Sequence, residues 1–470
     1  LVSQLVDDEG IESGPPSGQS SKRILMSLMF PAALMPMVSS MSRVALPVIR
    51  DEFQISADMT SWVAVVFGLP FMILMPVYGR LSDGIDKRGL MLAGVGIFGV
   101  GTALTVLASN LVWLMVGRAI QGFGIAGISP LGLAVISEVF RSEGRGRALG
   151  NWSSVGPTVS FFGPLAAGFL VAAWGWAGAF WPPLIVSVMA FIAVFWGIPK
   201  RKEKKPPRFW RTFDWVGVML VALILTVLIL FVSSRLITGV ASLHDWRLFV
   251  LLVVLTASFV WWEKRITHPF VQLQVFRNRV FCQATFCASI RMIVMGGLTF
   301  LVPLYLVDIH QLGSEVLGLM LMINSGAMAL VVRFGGGLAD RWTSRLPVAM
   351  GLAMQSVVML LFSRFSSETS LLTIGLALAL HGFGVGIMLA ALHRAVIASV
   401  PESEVGGATG LYSMFRFVGG TLGMALSGVL LQQNLDASMT LVAAYQNAFL
   451  LFALFPVLGL FVAGRLREGK

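Results

Sequence analysis

Fourteen stretches of this chain are apolar over the length a helix needs to cross a bilayer, and no other feature limits the fold so tightly. A helix rises 1.5 Å per residue, so a hydrocarbon core of about 30 Å takes about 20 residues. The stretches run 24 to 47, 59 to 79, 89 to 109, 111 to 138, 147 to 172 and 177 to 198; then 214 to 234 and 247 to 262; then 281 to 307, 315 to 337, 346 to 365, 371 to 398, 406 to 432 and 440 to 464. Alternation of period two is missing throughout, which argues against a barrel. With 56% hydrophobic residues, 12% charged residues and a mean hydropathy of +0.84, the chain is expected to be an all-α integral membrane protein.

The first stretch exceeds the apolar region of a signal peptide, contains Pro31, Pro36 and Pro47, and ends without an A-x-A-like cleavage site, so it is expected to stay as a helix. Residues 1 to 20, with Gly10, Gly14, Pro15 and Pro16, read as a flexible tail. Basic residues set the orientation. With the N-terminus inside, Lys22, Arg23, Arg80, Lys87, Arg88, Arg145, Arg147, the run from Lys200, Lys264, Arg265, Arg277, Arg279 and Arg345 all face the cytoplasm, whereas Arg50, Arg235, Arg247 and Arg364 fall outside. Both termini are then cytoplasmic. The net charge of +11 follows from this topology and calls for no nucleic-acid partner. Cys282 and Cys287 are too few for a zinc set and read as packing residues, and no metal or cofactor is expected.

An internal repeat divides the chain. Gly79, Leu81 and Asp83 recur as Gly336, Leu338 and Asp340, each set at the end of the second helix of a six-helix group; QGFG at Gln121 to Gly124 recurs as HGFG at His381 to Gly384. Two six-helix halves related in parallel are the construction of transporters that rock two bundles about a central site. The charged stretch GRLSDGIDKRG, residues 79 to 89, then reads as a conformational latch: Gly79, Asp83, Arg88, Glu138, Asp340 and Arg341 are its candidates, with the bases pairing acids on an adjacent bundle. An ordinary basic loop remains the plainer alternative.

These residues resemble the major facilitator superfamily, and within it the fourteen-span drug:proton antiporter group. GRLSDGIDKR is similar to the loop motif G-x-L-a-D-r-x-G-r-k, with Asp86 at the place of the second glycine. RAIQGFGIAG, from Arg118, resembles the fourth-helix motif R-x-x-Q-G-x-G, whose arginine the resemblance ties to proton coupling. Gly150, Gly163, Pro164, Ala167 and Gly168 follow the antiporter motif of helix five, with Val159 replacing one glycine. Small residues at such spacing also let helices touch closely in lipid, as at Gly406 and Gly410 or Gly419 and Gly423. The resemblance implies a fold of two six-helix bundles related by a parallel pseudo-twofold, with two extra central helices.

Ionisable groups deep in the membrane cost about 2.5 to 3.5 kcal/mol on insertion scales and usually carry function. Arg118, Arg291, His381 and Arg416 are such groups, while Arg43 and Arg333 sit near enough to span ends to snorkel. No acid falls at a helix centre: in MVSSMSRVALP, Val38 stands where the resembled group carries an aspartate. A cavity lined by Arg118, Arg291 and Arg416 would favour anionic or zwitterionic amphipaths. His381 is the midplane group that titrates near neutrality, or else a neutral packed imidazole. Gln121, Tyr305, Asn324 and Gln355 are further pathway candidates.

The expected organisation is a tail over 1 to 20, a first bundle over 21 to 199, a basic linker with two helices over 200 to 280, and a second bundle over 281 to 470. The expected function is export of amphipathic or drug-like small molecules across the cytoplasmic membrane by alternating access, driven by protons, by a monomer. A carrier or flippase for an anionic lipid or metabolite, with proton coupling absent or altered, is the alternative. Signatures of catalysis (H-E-x-x-H, G-x-S-x-G, G-x-x-x-x-G-K) are missing, so no enzyme is expected.

Overall fold

The computed structural model describes residues 18–82, 84–140, 142–200, 213–233, 235–267, 269–401 and 404–466, with the side chains of 18–20, 142–143, 236–237 and 333–342 left out. Among the described residues, every long element is a helix, and fourteen of the helical segments are long and apolar enough to span a membrane. The first half comprises α1 (Gly18–Phe53), α2 (Ala57–Leu81), α3 (Lys87–Val106), α4 (Leu111–Ile125), α5 (Ile128–Val139), α6 (Ser142–Trp174) and α7 (Trp181–Gly197). An additional pair follows, α8 (Trp215–Ser233) and α9 (Trp246–Glu263). The second half comprises α10 (Arg279–Asp308), α11 (Ser314–Trp342), α12 (Arg345–Phe362), α13 (Leu371–Ala398), α14 (Val405–Asp436) and α15 (Leu441–Ala463).

Several helices outrun their apolar cores. The first starts at Gly18, so the end of the expected tail is helical, and it continues to Phe53. Backbone hydrogen bonding propagates past the membrane boundary because each added residue closes a bond at little entropic cost once the helix exists. The fourth span is broken: α4 and α5 form one crossing, interrupted at Ala126 and Gly127, where a Cβ on Gly127 would strike the Tyr78 ring at 2.6 Å.

Equivalent helix crossings make the repeat visible. A Cβ added at Gly94 would meet the Gly124 carbonyl at 2.8 Å, and one at Gly351, its counterpart, would meet the Gly384 carbonyl at 2.5 Å. Likewise Gly122 abuts the carbonyl of Phe67, as Gly382 abuts that of Asn324. The repeated glycines are thus the points at which α3 crosses α4, α12 crosses α13, and their neighbours close on them. Small residues permit this backbone approach where lipid supplies no hydrophobic drive for association.

The halves meet along two seams, α2 on α14 and α6 on α11. Both are tight at the face that carries the C-terminal end of α1. There Gly428 packs on Ala57 and Ser61, Gly68 on Thr421, Gly168 on Ser314, and Gly318 on the Pro164 carbonyl. Towards the opposite face the seams part, and a Cβ at Gly146, Gly150, Gly156, Gly406 or Gly410 would find nothing within 4 Å. The glycine pairs of α14 therefore differ: Gly419 and Gly423 press on the α10 backbone at Ser289 and Ile293, while Gly406 and Gly410 stand in open space. The result is a wedge, sealed at one face and open at the face that carries Lys22, Arg23, Lys87 and Arg88.

The additional pair packs through α8 on α2 and α14, beside one seam. It is tied at both ends. On the open face Asp214 accepts from the Gly217 and Phe270 amides and from Trp262 Nε1, and Arg80 donates to the Pro269 carbonyl at 2.8 Å. On the sealed face Trp62 donates to the Ser233 carbonyl and Arg235 pairs with Asp436.

Candidate functional site

At the apex of the wedge α2 and α14 touch through Phe71 and Phe417, edge to face with ring centroids 4.7 Å apart. Arg416, next along α14, turns into the second half: its guanidinium lies 4.9 Å from the Phe417 ring and 5.8 Å from that of Tyr412, with Nη1 3.4 Å from His393 Nε2. Arg291 enters the same cluster from α10. Only 3% exposed, it sits within electrostatic reach of Arg416, Tyr412, His381 and His393, and its guanidinium makes no hydrogen bond among the described residues. Nε of both Arg291 and Arg416 is buried without a partner.

Beside them lies a cluster of polar side chains. His381 Nδ1 is 2.9 Å from the Asn324 amide nitrogen, which also donates to the Leu378 carbonyl, and His381 Nε2 is 3.3 Å from that of Gln355. Gln355 in turn donates to the Arg291 carbonyl. Asn324, Gln355, His381 and Arg291 are thereby brought together on α11, α12, α13 and α10. Arg43 of α1 adds its charge to His381 from the first half and donates to the Ser39 carbonyl at 3.2 Å. It lies within the extended α1, ten residues before its end.

Arg118 occupies different surroundings. It donates through Nε to the Val63 carbonyl at 3.1 Å and through Nη1 to Gln121 Oε1 at 2.9 Å, and it lies over the rings of Phe67 and Phe180. Gln121 donates onward to Thr102. With 2% of its surface exposed, Arg118 is enclosed within the first half and not brought to Arg291 or Arg416. Tyr305 lies in an aromatic group with Phe362, Tyr445 and Phe449 near the sealed face, its hydroxyl 3.2 Å from the Ser366 carbonyl.

Of the latch candidates, Asp83 lies outside the described residues, as do the side chains of Asp340 and Arg341. Lys87 pairs with Glu138 at 2.9 Å, and Arg88 donates to the Phe195 carbonyl at 2.6 Å; both contacts stay within the first half. Pairing of these bases with acids of an adjacent bundle is therefore not what the described contacts contain. Gly79 faces Pro130 at 4.0 Å, and Asp86 caps α3 by accepting from the Gly89 amide. Along α6, Gly150 is open, Gly163 abuts Ser40, Pro164 abuts Gly318, and Gly168 abuts Ser314.

An ion pair that joins the halves among the described residues lies at the opposite face. Arg50 of α1 donates from Nη1 and Nη2 to the two carboxylate oxygens of Asp308 on α10, at 2.7 and 2.6 Å, and Tyr445 of α15 donates to the same carboxylate at 2.6 Å. Sequence reasoning placed Arg50 outside but did not pair it with Asp308, since nothing local relates residues 258 apart. His393 and Tyr412 were also missed; each reads in sequence as an ordinary residue near a span end.

A model described as "Major Facilitator Superfamily" matches residues 28–424 and, again, 284–469. The chain is 28% identical over 399 residues to the multidrug resistance protein Stp of Mycobacterium tuberculosis, covering 84% of this chain and 73% of that protein. It is 24% identical to the riboflavin transporter RibZ of Clostridioides difficile, covering 84% and 85%. Among solved structures, an auto-inhibited POT family peptide transporter aligns with a TM-score of 0.71 at 17% identity over 95% of this chain and 96% of that one. A bacterial homologue of the lysosomal transporter Spinster, inward-facing and occupied, aligns with a TM-score of 0.69 at 15% identity over 96% and 98%. Two pseudosymmetric halves, the parted seams and the family match lead to one assignment: the chain is a multi-pass membrane transporter that belongs to the major facilitator superfamily.

Proposed function

We propose that this protein exports amphipathic, drug-like small molecules by alternating access, with its basic, open face towards the cytoplasm. The observation that carries the reading is the wedge: two halves joined at one face and parted at the other, with Phe71, Phe417 and Arg416 at its apex. An apolar wall with a few polar groups is what an amphipathic ligand requires. The names of the multidrug resistance protein Stp and of the multidrug transporter MdtP of Bacillus subtilis support this class of substrate. Lys and Arg are concentrated at the open face and sparse at the sealed one, which supports the orientation in a cytoplasmic membrane and the inward-open state.

Coupling to the proton gradient is part of the proposal. His381 and His393 are the imidazoles of the central cluster, and Val38, fully buried, leaves α1 without a central acid. The test is flux into proteoliposomes of a cationic, a neutral and an anionic amphipath, each with and without an imposed pH gradient. Flux of at least one above protein-free vesicles, accelerated by the gradient, is expected. No flux of any of them refutes the transport reading, and flux indifferent to the gradient refutes the coupling.

A further inference from the structure

We infer that Arg291 and Arg416 form an anion subsite that receives the carboxylate or sulfonate of an amphipathic small molecule entering from the wedge. The inference rests on the transport reading above and specifies the charge of what is carried. Both guanidiniums lie deep in the second half, close enough to act on one another, and the Nε of each is buried with no hydrogen-bond partner. Among the described residues no carboxylate acts on either, nor on Arg43 or Arg118. Arg118 is nevertheless satisfied by Val63 and Gln121, whereas the Arg291 guanidinium has no hydrogen bond among the described residues. Two like charges in a low-dielectric interior repel, and a buried donor left unmet carries its full desolvation cost. An anion between them removes both penalties, and a guanidinium matches a carboxylate with paired hydrogen bonds.

The surroundings fit the rest of such a ligand. The Phe71–Phe417 pair closes the apex beside Arg416, and the Tyr412 ring flanks the guanidinium, so an apolar or aromatic body reaches the wedge when the anionic group meets the arginines. The neighbours His381, Asn324 and Gln355 lie against one another and bring no negative charge to compete.

Equilibrium binding of dansylglycine and of its uncharged amide, to the purified full-length protein in phosphatidylcholine nanodiscs, tests the inference, with ethidium as the cationic control and protein-free discs subtracted. The expected result is at least tenfold tighter binding of the carboxylate than of the amide. Arg291→Gln and Arg416→Gln should each reduce that preference about tenfold by weakening the carboxylate more than the amide, without weakening ethidium, and Arg416→Lys should retain part of the preference. Absence of a preference in the wild type overturns the inference, as does an equal loss of all three ligands in variants that stay monodisperse. Should a glutamine variant not be recovered, competition on the wild type decides: sodium sulfate should displace dansylglycine and spare the amide, and equal displacement of both overturns the subsite. Discs containing phosphatidylglycerol separate the two sources of anion; if that lipid excludes dansylglycine at all concentrations, the occupant is a headgroup and the small-molecule assignment fails. Ethidium flux in proteoliposomes reports on transport independently, so intact flux without a carboxylate preference refutes the subsite alone.

Discussion

Two buried arginines of similar sequence appearance have opposite surroundings, and the difference predicts how each responds to substitution. Arg118 is held by two hydrogen bonds and two aromatic faces, so its charge is solvated by protein. Hydrogen bonds to a charged group contribute about 1.5 to 3 kcal/mol each, so Arg118→Leu should lower stability by several kcal/mol, leaving Gln121 Oε1 unmet and the Val63 carbonyl with its helical bond alone. Thermal unfolding of the detergent-solubilised protein should show a markedly reduced midpoint, while the relative affinities for anionic and neutral ligands in whatever fraction folds stay as in the wild type. A selective loss of one ligand charge would instead place Arg118 at the binding surface. The sequence shows that both arginines are deep in the membrane. It does not show which one already has partners, because apart from Gln121 on the same helix they come from Val63 on α2 and Phe180 beyond α6, far from residue 118 in the chain.

At the scale of helices, glycines separate the closed part of each seam from the open part. Gly318 faces the Pro164 carbonyl with no room for a Cβ, whereas Gly150 on the same seam faces nothing within 4 Å. Gly318→Val should hold α6 and α11 apart at the sealed face, and Gly150→Ala should leave them as they are while adding about 0.5 to 1 kcal/mol to helix stability. A single cysteine introduced at Ser314 and labelled by a membrane-impermeant maleimide in oriented proteoliposomes distinguishes them. Labelling should rise with Gly318→Val and stay at background with Gly150→Ala; equal labelling would mean that the seam does not depend on this contact. Fourteen spans and the repeat were legible, because membrane length and the recurrence of QGFG as HGFG are properties of the string itself. What stayed hidden was which member of a glycine motif touches a neighbour. Gly406 and Gly410 have the same spacing as Gly419 and Gly423, yet only the second pair meets a neighbouring helix, the α10 backbone at Ser289 and Ile293.

For the molecule as a whole, alternating access requires that the contacts sealing one face exist in one state only, since a contact present in both shifts no equilibrium. The bidentate Arg50–Asp308 pair, reinforced by Tyr445, joins the halves at the sealed face with side-chain exposures of 18% and 11%. In the proposed alternating-access cycle, the halves rock outward by separating α1 and α10 there, and both charges return to water. Breaking a largely buried pair by removing one charge costs on the order of 3 kcal/mol, because the remaining charge stays desolvated. Here that cost falls on the closed face alone, so Asp308→Asn should move the population towards the outward-open state by roughly a hundredfold, at about 1.4 kcal/mol per tenfold. Tyr445→Phe removes one donor and keeps the pair, so its shift should be smaller and of the same sign. Spin labels placed across the sealed face, with inter-label distances measured by electron resonance, report the population directly. A longer-distance fraction that grows in the order wild type, Tyr445→Phe, Asp308→Asn is the expected result, and distributions identical in all three would show that the seams at Gly168 and Gly428, rather than this ion pair, hold the face shut.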